Sequence, residues 1–412
     1  MLVSRRMSEE PGVEAAMAAM ATPLNVGLLR DAGLWSTELE GAGADDLVIA
    51  ARGERAAAAL EAADATLSER TSSPATGEPA PPRTVRTAAR RLSGANLAVV
   101  SVPGEHATWT SWDALQSGLN VFCFSDNVPL EDEILLKDEA LRRGLLFMGP
   151  DCGTAILDGV GLGFSNVVPR GGVGIVGASG TGTQQLCCLL AHQGVGISHA
   201  IGVGGRDLSA AGGRMAREAV RRLDEDPETD VIVVVSKPAE AELGAHKPLV
   251  KALLGPGVDL TEVALEVGGG TLPSDPPPPR WSGRVDGIFS GGTLRDEAAL
   301  IWGEDTRFRA VDYGAGEYTR GRPHPMIDNT VRLEAIRRAE GLVYIDVVLG
   351  RAAHPDPSSE LAPAIAGRPA VVVLIGTTGD PQQLERQKAG FEAAGAAVYL
   401  SNSRAARGLL EA

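Results

Sequence analysis

Several short apolar runs in this chain stop abruptly at a glycine-rich turn, and that recurrence constrains the fold more than any other feature. "LLFMGPDCG" spans Leu145 to Gly153, "GGVGIVGASGTGT" spans Gly171 to Thr183, "SHAIGVGGRDL" spans Ser198 to Leu208, and "LVYIDVVLGRAAHPDP" spans Leu342 to Pro357. Apolar runs of this length without alternation fit strands covered on both faces. Between such runs lie helical patterns. "LEDEILLKDEALRRG" (Leu130 to Gly144) is an amphipathic stretch closed by a glycine stop. Strands that alternate with helices predict an α/β protein with a mainly parallel, doubly wound sheet. The aromatic content of 4% and the 51 glycines suit tightly packed α/β layers better than a β-sandwich.

A chain of 412 residues holds two or three domains of ordinary size. The clearest linker is "GGGTLPSDPPPPRW" (Gly268 to Trp281), whose four consecutive prolines can neither continue a helix nor sit inside a sheet. "TSSPATGEPAPPR" (Thr71 to Arg83) reads as a disordered surface loop. The net charge of -15 argues against nucleic acid or an anionic membrane surface as a partner. Small anions held by local arginines and amides remain compatible with it. No apolar run reaches the ~18 residues of a membrane helix, and the first twenty residues lack the apolar core of a signal peptide. Cys123, Cys152, Cys187 and Cys188 show no metal-ligand spacing. Reduced thiols and a cytoplasmic protein are expected, with no metal site.

The chemistry points to anions. Ser179, Gly180, Thr181, Gly182 and Thr183 stand where a strand turns into a helix. Small and hydroxyl-bearing residues there let a phosphate reach the free amides and the positive end of the helix. The turn lacks the Gly-Lys-Ser/Thr ending of a nucleotide-hydrolysing P-loop. Valine at Gly182 is expected to block the anion without unfolding the domain. "YTRGRPHPMIDN" (Tyr318 to Asn329) gathers Arg320, Arg322, His324 and Asp328 around two prolines, and paired guanidinium groups grip carboxylate or phosphate. Gly350, Arg351 and His354 follow a strand directly. Gly205, Arg206 and Asp207 form a further turn, with a plain salt bridge between Arg206 and Asp207 or other neighbours as the alternative. Lys237 ends another strand, where a cation can neutralise a transferring phosphoryl group. His324 and His354 are the candidate proton carriers.

"MGPDCGTAILDGVGLGFSNVVPRGGVGIVGASGTGTQQL", "SHAIGVGGRDLS", "FSGGTL", "YTRGRPHPMID" and "DVVLGRAAHPDP" together resemble the FdrA protein family. That family is related to the succinyl-CoA synthetase α-subunit, with part of the β-subunit fused behind it. The resemblance runs from about Ala21 to the C-terminus. It implies a Rossmann-like, CoA-binding-type domain over 1–165, a flavodoxin-like ligase domain over 166–280, and a second ligase-type domain with a parallel sheet over 281–412. It also implies two helix N-termini facing one phosphate site, the first at Ser179 to Thr183 and the second near Gly350 to His354.

The departures from the synthetases are specific. Their phosphorylated histidine lies in a Gly-His-Ala-Gly context, yet Leu253 to Trp281 contains no histidine. "ATPLNVGLL" stands where a glycine-rich CoA loop belongs, and there is no ATP-grasp nucleotide domain. The resemblance brings two associations: FdrA-type proteins are often labelled acyl-CoA synthetases by this likeness, and members of the family are also linked to purine (allantoin) catabolism, where FdrA and two companion proteins are associated with oxamate carbamoyltransferase. The expected role is therefore a subunit that handles an acyl phosphate, with self-association and companion subunits, small anionic substrates and no tightly bound cofactor. Two alternatives are an NDP-forming acyl-CoA synthetase subunit, in which CoA or a nucleotide would bind, and a non-catalytic regulatory subunit. Incubation with labelled ATP or GTP, or with a CoA thioester and labelled phosphate, is expected to leave no acid-labile, base-stable label on the chain; such a label on any histidine would restore the synthetase reading.

Overall fold

A computed structural model describes residues 2–43, 46–71, 81–239, 241–319 and 322–411. Most of the expected loop over 71–83 lies outside the described residues. The chain divides into two compact units, Met1–Pro81 and Pro82–Ala412. The domain expected over 1–165 is thus split at Pro81.

The first unit contains α1 (Leu2–Ser8), β1 (Val13–Met20), α2 (Pro23–Asp31), a 3₁₀ turn at Thr37–Leu39, β2 (Leu47–Gly53) and α3 (Ala56–Thr71). β1 and β2 pair antiparallel from Val13–Gly53 to Met20–Leu47. Apolar side chains pack on both sides of this ribbon: Met7, Ala59 and Ala63 on one, Leu29, Leu34 and Val48 on the other.

The second unit holds three sheets. α4 (Val85–Arg91), β3 (Leu97–Val100), α5 (Gly104–Gln116), β4 (Asn120–Cys123), α6 (Leu130–Arg142) and β5 (Phe147–Met148) build a three-stranded parallel sheet in the order β3-β4-β5. The second sheet starts with the hairpin β6 (Thr154–Leu157) and β7 (Val160–Gly163). It continues through β8 (Arg170–Gly177), α7 (Gly180–His192), β9 (Ile197–Gly202), α8 (Arg214–Glu225), β10 (Val231–Ser236), β11 (Leu249–Leu253) and α9 (Leu260–Gly268). Its order is β11-β10-β8-β9-β6-β7, with only the hairpin strands antiparallel. After the proline-rich connection come β12 (Val285–Phe289), α10 (Gly292–Trp302), β13 (Phe308–Asp312), α11 (Gly316–Thr319), α12 (Thr330–Arg338), β14 (Leu342–Val348), α13 (Pro357–Ile365), β15 (Ala370–Ile375), α14 (Leu384–Ala393), β16 (Ala397–Tyr399) and α15 (Asn402–Leu410). These strands form an all-parallel sheet in the order β13-β12-β14-β15-β16. Every residue of β12, β14 and β15 is buried, which is why they read as unbroken apolar runs.

Buried polar groups lock the sheets together. Lys137 on α6 is fully buried, and its Nζ donates to Glu133 Oε1 at 2.6 Å, to Asp207 Oδ1 at 2.8 Å and to the Val203 carbonyl at 3.0 Å. Asp207 also accepts the Met215 and Ala216 amides at 3.1 and 2.8 Å, capping α8. The second and third sheets are joined by Asn166 Nδ2, which donates to the Leu349 carbonyl and to Asp380 Oδ2 at 3.0 and 2.9 Å.

Lys137→Met keeps the length of the side chain but leaves the buried Asp207 without its cation and Glu133 with Arg206 alone. A loss of about 3–5 kcal/mol is expected, read as a lowered denaturant midpoint for the second unit. Arg86→Met, which breaks the more exposed pair with Asp113, should cost less than about 1 kcal/mol. Equal midpoints for the two variants would contradict this account of the junction.

Candidate active site

The second unit encloses a cavity of ≈ 580 Å³ where the carboxyl ends of strands from all three sheets converge. This is where open parallel sheets place ligands. Two helices begin at its wall. α7 starts at Gly180 after β8, and α10 starts at Gly292 after β12. Ser179 caps α7, its Oγ accepting from the Gly182 amide at 3.0 Å. α10 has glycine at its cap and no capping side chain. The Gly180, Thr181, Gly292 and Thr293 amides find no acceptor among the described residues, so the cavity gathers unsatisfied donors from two helix ends.

The two helix starts touch. Ser179 Oγ and Thr293 Oγ1 are hydrogen-bonded at 2.5 Å. A Cβ at Gly291 would stand 2.5 Å from Thr181 Cγ2, so only glycine allows this approach. The turn before α10 is held from below. The Ser290 amide and hydroxyl donate to Asp346 at 2.6 and 3.0 Å, and Asp346 faces the buried Arg332 at 3.4 Å. Burial pushes the Asp346 carboxyl up to about 6 despite that guanidinium.

His324 also lines the cavity, packed against Phe164 with ring centroids 5.8 Å apart. Its Nδ1 accepts the Met326 amide at 3.2 Å, so the proton of the neutral ring sits on Nε2. Burial, with the Arg332 charge adding to it, pushes this imidazole down to about 4. At neutral pH it is a neutral donor, not a proton reservoir. The acidic side chains at the wall are Asp126, Asp151 and Asp312. Burial foremost, then the Asp126 charge, raises Asp151 to about 6. Burial also raises Asp312, whose Oδ1 accepts the Gly314 amide at 2.9 Å.

The structure gathers only part of the expected set. Ser179, Gly180, Thr181, Gly205, Lys237 and His324 line the cavity. Lys237 is already paired with Asp296 at 2.6 Å. Gly182 and Thr183 are buried behind the turn, and Thr183 Oγ1 donates to the Ser179 carbonyl at 2.6 Å. Gly350 and Arg351 do not offer free amides: they donate to Gln382 Oε1 at 3.0 Å and to the Ser165 carbonyl at 2.8 Å. The second helix start at the cavity is α10, not the segment after β14. His354 lies off the cavity wall, its Nδ1 accepting the Asp356 amide at 3.1 Å and its Nε2 3.3 Å from Glu360. The salt bridge expected as the alternative at this turn forms with another neighbour and not between Arg206 and Asp207. Arg206 faces Glu133 at 2.8 Å, and Asp207 is consumed by Lys137 and α8. Arg322 pairs loosely with Glu334 at 3.6 Å, and Asp328 accepts the Thr330 amide at 2.8 Å; both are away from the cavity wall. Arg320 lies outside the described residues. Ser290 to Thr293 lie outside the expected set, although "FSGGTL" repeats the strand, small-residue turn and helix of "VGASGTGT".

Comparison with known proteins gives a consistent frame. The family profile described as "AllF, heavy metal-associated domain" matches residues 1–82, and the one described as "CoA-ligase" matches residues 288–409. The uncharacterized protein YahF of Escherichia coli is 36% identical, covering 100% of this chain and 94% of that protein. The succinate–CoA ligase [ADP-forming] subunit alpha of Aquifex aeolicus is 31% identical, over 37% of this chain and 51% of its own. The dinucleotide forming acetyl-coenzyme A synthetase 1 of Ca. Korarchaeum cryptofilum, solved with phosphate and ADP, aligns over 79% of this chain and 83% of its own. The TM-score is 0.31 and the identity 15%, a likeness that carries no argument. The first profile's name implies a heavy metal. Residues 1–82 contain neither cysteine nor histidine, the donors that soft and borderline metals take. Among the described residues no cluster of His, Cys, Asp or Glu is placed to hold an ion. The residues present do not fit such a metal.

The packing revises the expectation for Gly182. A Cβ there would meet Ser179 Oγ at 2.6 Å and Thr293 Cγ2 at 3.0 Å, so Gly182→Val is expected to lose about 1–3 kcal/mol by overpacking. At Gly180 a Cβ meets nothing closer than Thr154 Oγ1 at 3.8 Å. Gly180→Ala should keep the melting temperature of the parent and bind inorganic phosphate more weakly by titration calorimetry. Parental phosphate affinity in Gly180→Ala would remove α7 from the anion site.

Proposed function

We propose, for a chain that belongs to the FdrA family of succinyl-CoA synthetase α-like proteins, that this cavity handles an acyl phosphate without forming a phosphoenzyme. The reading rests on one observation: among the described residues, two helix starts with free amides open onto a cavity whose only histidine is His324. A phosphoryl acceptor needs a lone pair on the nitrogen that faces the substrate. On His324 the nitrogen left for the cavity carries the proton, because Nδ1 is the acceptor. The loop between β11 and α9 runs only from Leu254 to Asp259 and contains no histidine.

The acyl phosphate that best fits is carbamoyl phosphate, exchanged with oxamate to give oxalurate and phosphate in purine (allantoin) catabolism. The amide nitrogen of oxamate attacks the carbamoyl carbon. The bond from that carbon to the phosphate oxygen breaks with its electrons on oxygen, and the N–H proton leaves with phosphate. The α7 and α10 amides stabilise the charge that grows on the leaving phosphate. His324 Nε2–H supplies a fixed neutral donor, and Lys237 a nearby cation. Catalysis here is positioning and charge stabilisation.

The second reading is an acyl-CoA ligase subunit, favoured by the match of residues 288–409 to the CoA-ligase profile and by the likeness to a succinate–CoA ligase α-subunit. Against it, β3 leads into Ser101-Val102-Pro103-Gly104, not the glycine-rich phosphate turn that opens a dinucleotide-type domain. With its companion subunits, the chain is expected to release phosphate from carbamoyl phosphate when oxamate is present, with no requirement for CoA or a nucleoside triphosphate. Turnover that appears only with CoA and a triphosphate would replace the first reading with the second.

A further inference from the structure

One buried side chain at the cavity wall has an acceptor to spare. Gln184 is 1% exposed and lies one helical turn beyond Gly180 on the same face of α7. Its orientation is set by a relay. Asn166 Nδ2 donates to the Leu349 carbonyl and to Asp380 Oδ2, which leaves Asn166 Oδ1 as the acceptor. Gln184 Nε2 donates to that oxygen at 3.2 Å. Gln184 Oε1 is thereby turned away from Asn166, and no donor among the described residues reaches it. The Asp126 and Asp151 carboxylates, also at this wall, receive no hydrogen bond from the described residues either. The Asp151 backbone is fixed at φ 55, with its amide on the Ser125 carbonyl at 2.9 Å.

We propose that Gln184 Oε1, with Asp151 beside the same cavity, makes the site selective for acyl phosphates whose acyl group carries N–H donors. The inference rests on the acyl-phosphate reading above and names the feature of the substrate that this wall recognises. The helix amides hold the phosphate. The amide oxygen one turn along α7 is placed to accept from the acyl nitrogen, and a carboxylate accepts a second N–H. A methyl in place of the nitrogen would leave both acceptors desolvated and unpaired, which is the strongest basis a site has for rejecting an isostere. An acyl group that ends in a carboxylate would instead meet Asp126 and Asp151 as like charges.

Carbamoyl phosphate and acetyl phosphate differ only by this NH₂-for-CH₃ exchange, so their dissociation constants on the full chain read the inference directly. The wild type is expected to prefer carbamoyl phosphate by at least about tenfold. Gln184→Met, similar in length but without an acceptor, should bring the ratio close to one while still binding inorganic phosphate. Asp151→Gly, which tolerates the positive φ, should lower the ratio as well and serves if Gln184→Met does not fold. Equal binding of the two acyl phosphates by the wild type, or an unchanged preference in both variants, overturns the inference and leaves the acyl-phosphate reading in place. A wild-type chain that binds neither acyl phosphate nor phosphate overturns both.

Discussion

The start of α7 presses against the start of α10, and the arrangement of the site follows from that contact. Each helix N-terminus carries about half a positive charge. Two such half charges in close approach repel by on the order of 1 kcal/mol at an effective dielectric of ~20. The protein tolerates this by supplying contacts that only small residues permit: Gly291 against Thr181, and Ser179 hydrogen-bonded to Thr293. Both helices follow inner strands of their sheets, β8 and β12, so the turns are held by buried ladders on either side. The Asp346–Arg332 pair fixes Ser290, and the Asp380–Asn166–Gln184 relay fixes α7 relative to the third sheet. An anion between the helix starts converts their repulsion into attraction, which is the physical reason to expect one there.

The same geometry bears on the proposal that no phosphohistidine forms. The β11–α9 loop is short, and its Asp259 is committed to capping α9 through the Thr261 and Glu262 amides. Among the described residues, the one histidine that reaches the cavity comes from the third sheet's connection, already tied at Nδ1. On the proposed reading, carbamoyl phosphate would arrive with its acyl–phosphate bond made, and a cradle with fixed donors would suffice.

Strand–helix alternation was legible because β10, β14 and β15 are covered on both faces and read as plain apolar runs. β1 was not, since "VEAAMAAM" is made of good helix formers; packing on both faces of the ribbon overrides that propensity. The hairpin of β6 and β7 was missed as well, which put the start of the second sheet too late. At the site, Ser179 to Thr181 were visible as a small-residue turn after a strand. Gly350 and Arg351 carry the same local signal, but their amides are consumed by Gln382 and Ser165, partners distant in sequence. The acceptor on Gln184 was invisible for a related reason: it depends on Asn166 and Asp380, 18 and 196 positions away.

Backbone amide shifts during a phosphate titration of the isotopically labelled full chain test the central claim most directly. Gly180, Thr181, Gly292 and Thr293 should move together along one saturable curve, while Gly350 and Arg351 stay in place. Saturable shifts confined to one of the two turns, or centred on Gly350 and Arg351, would contradict a phosphate site shared by α7 and α10.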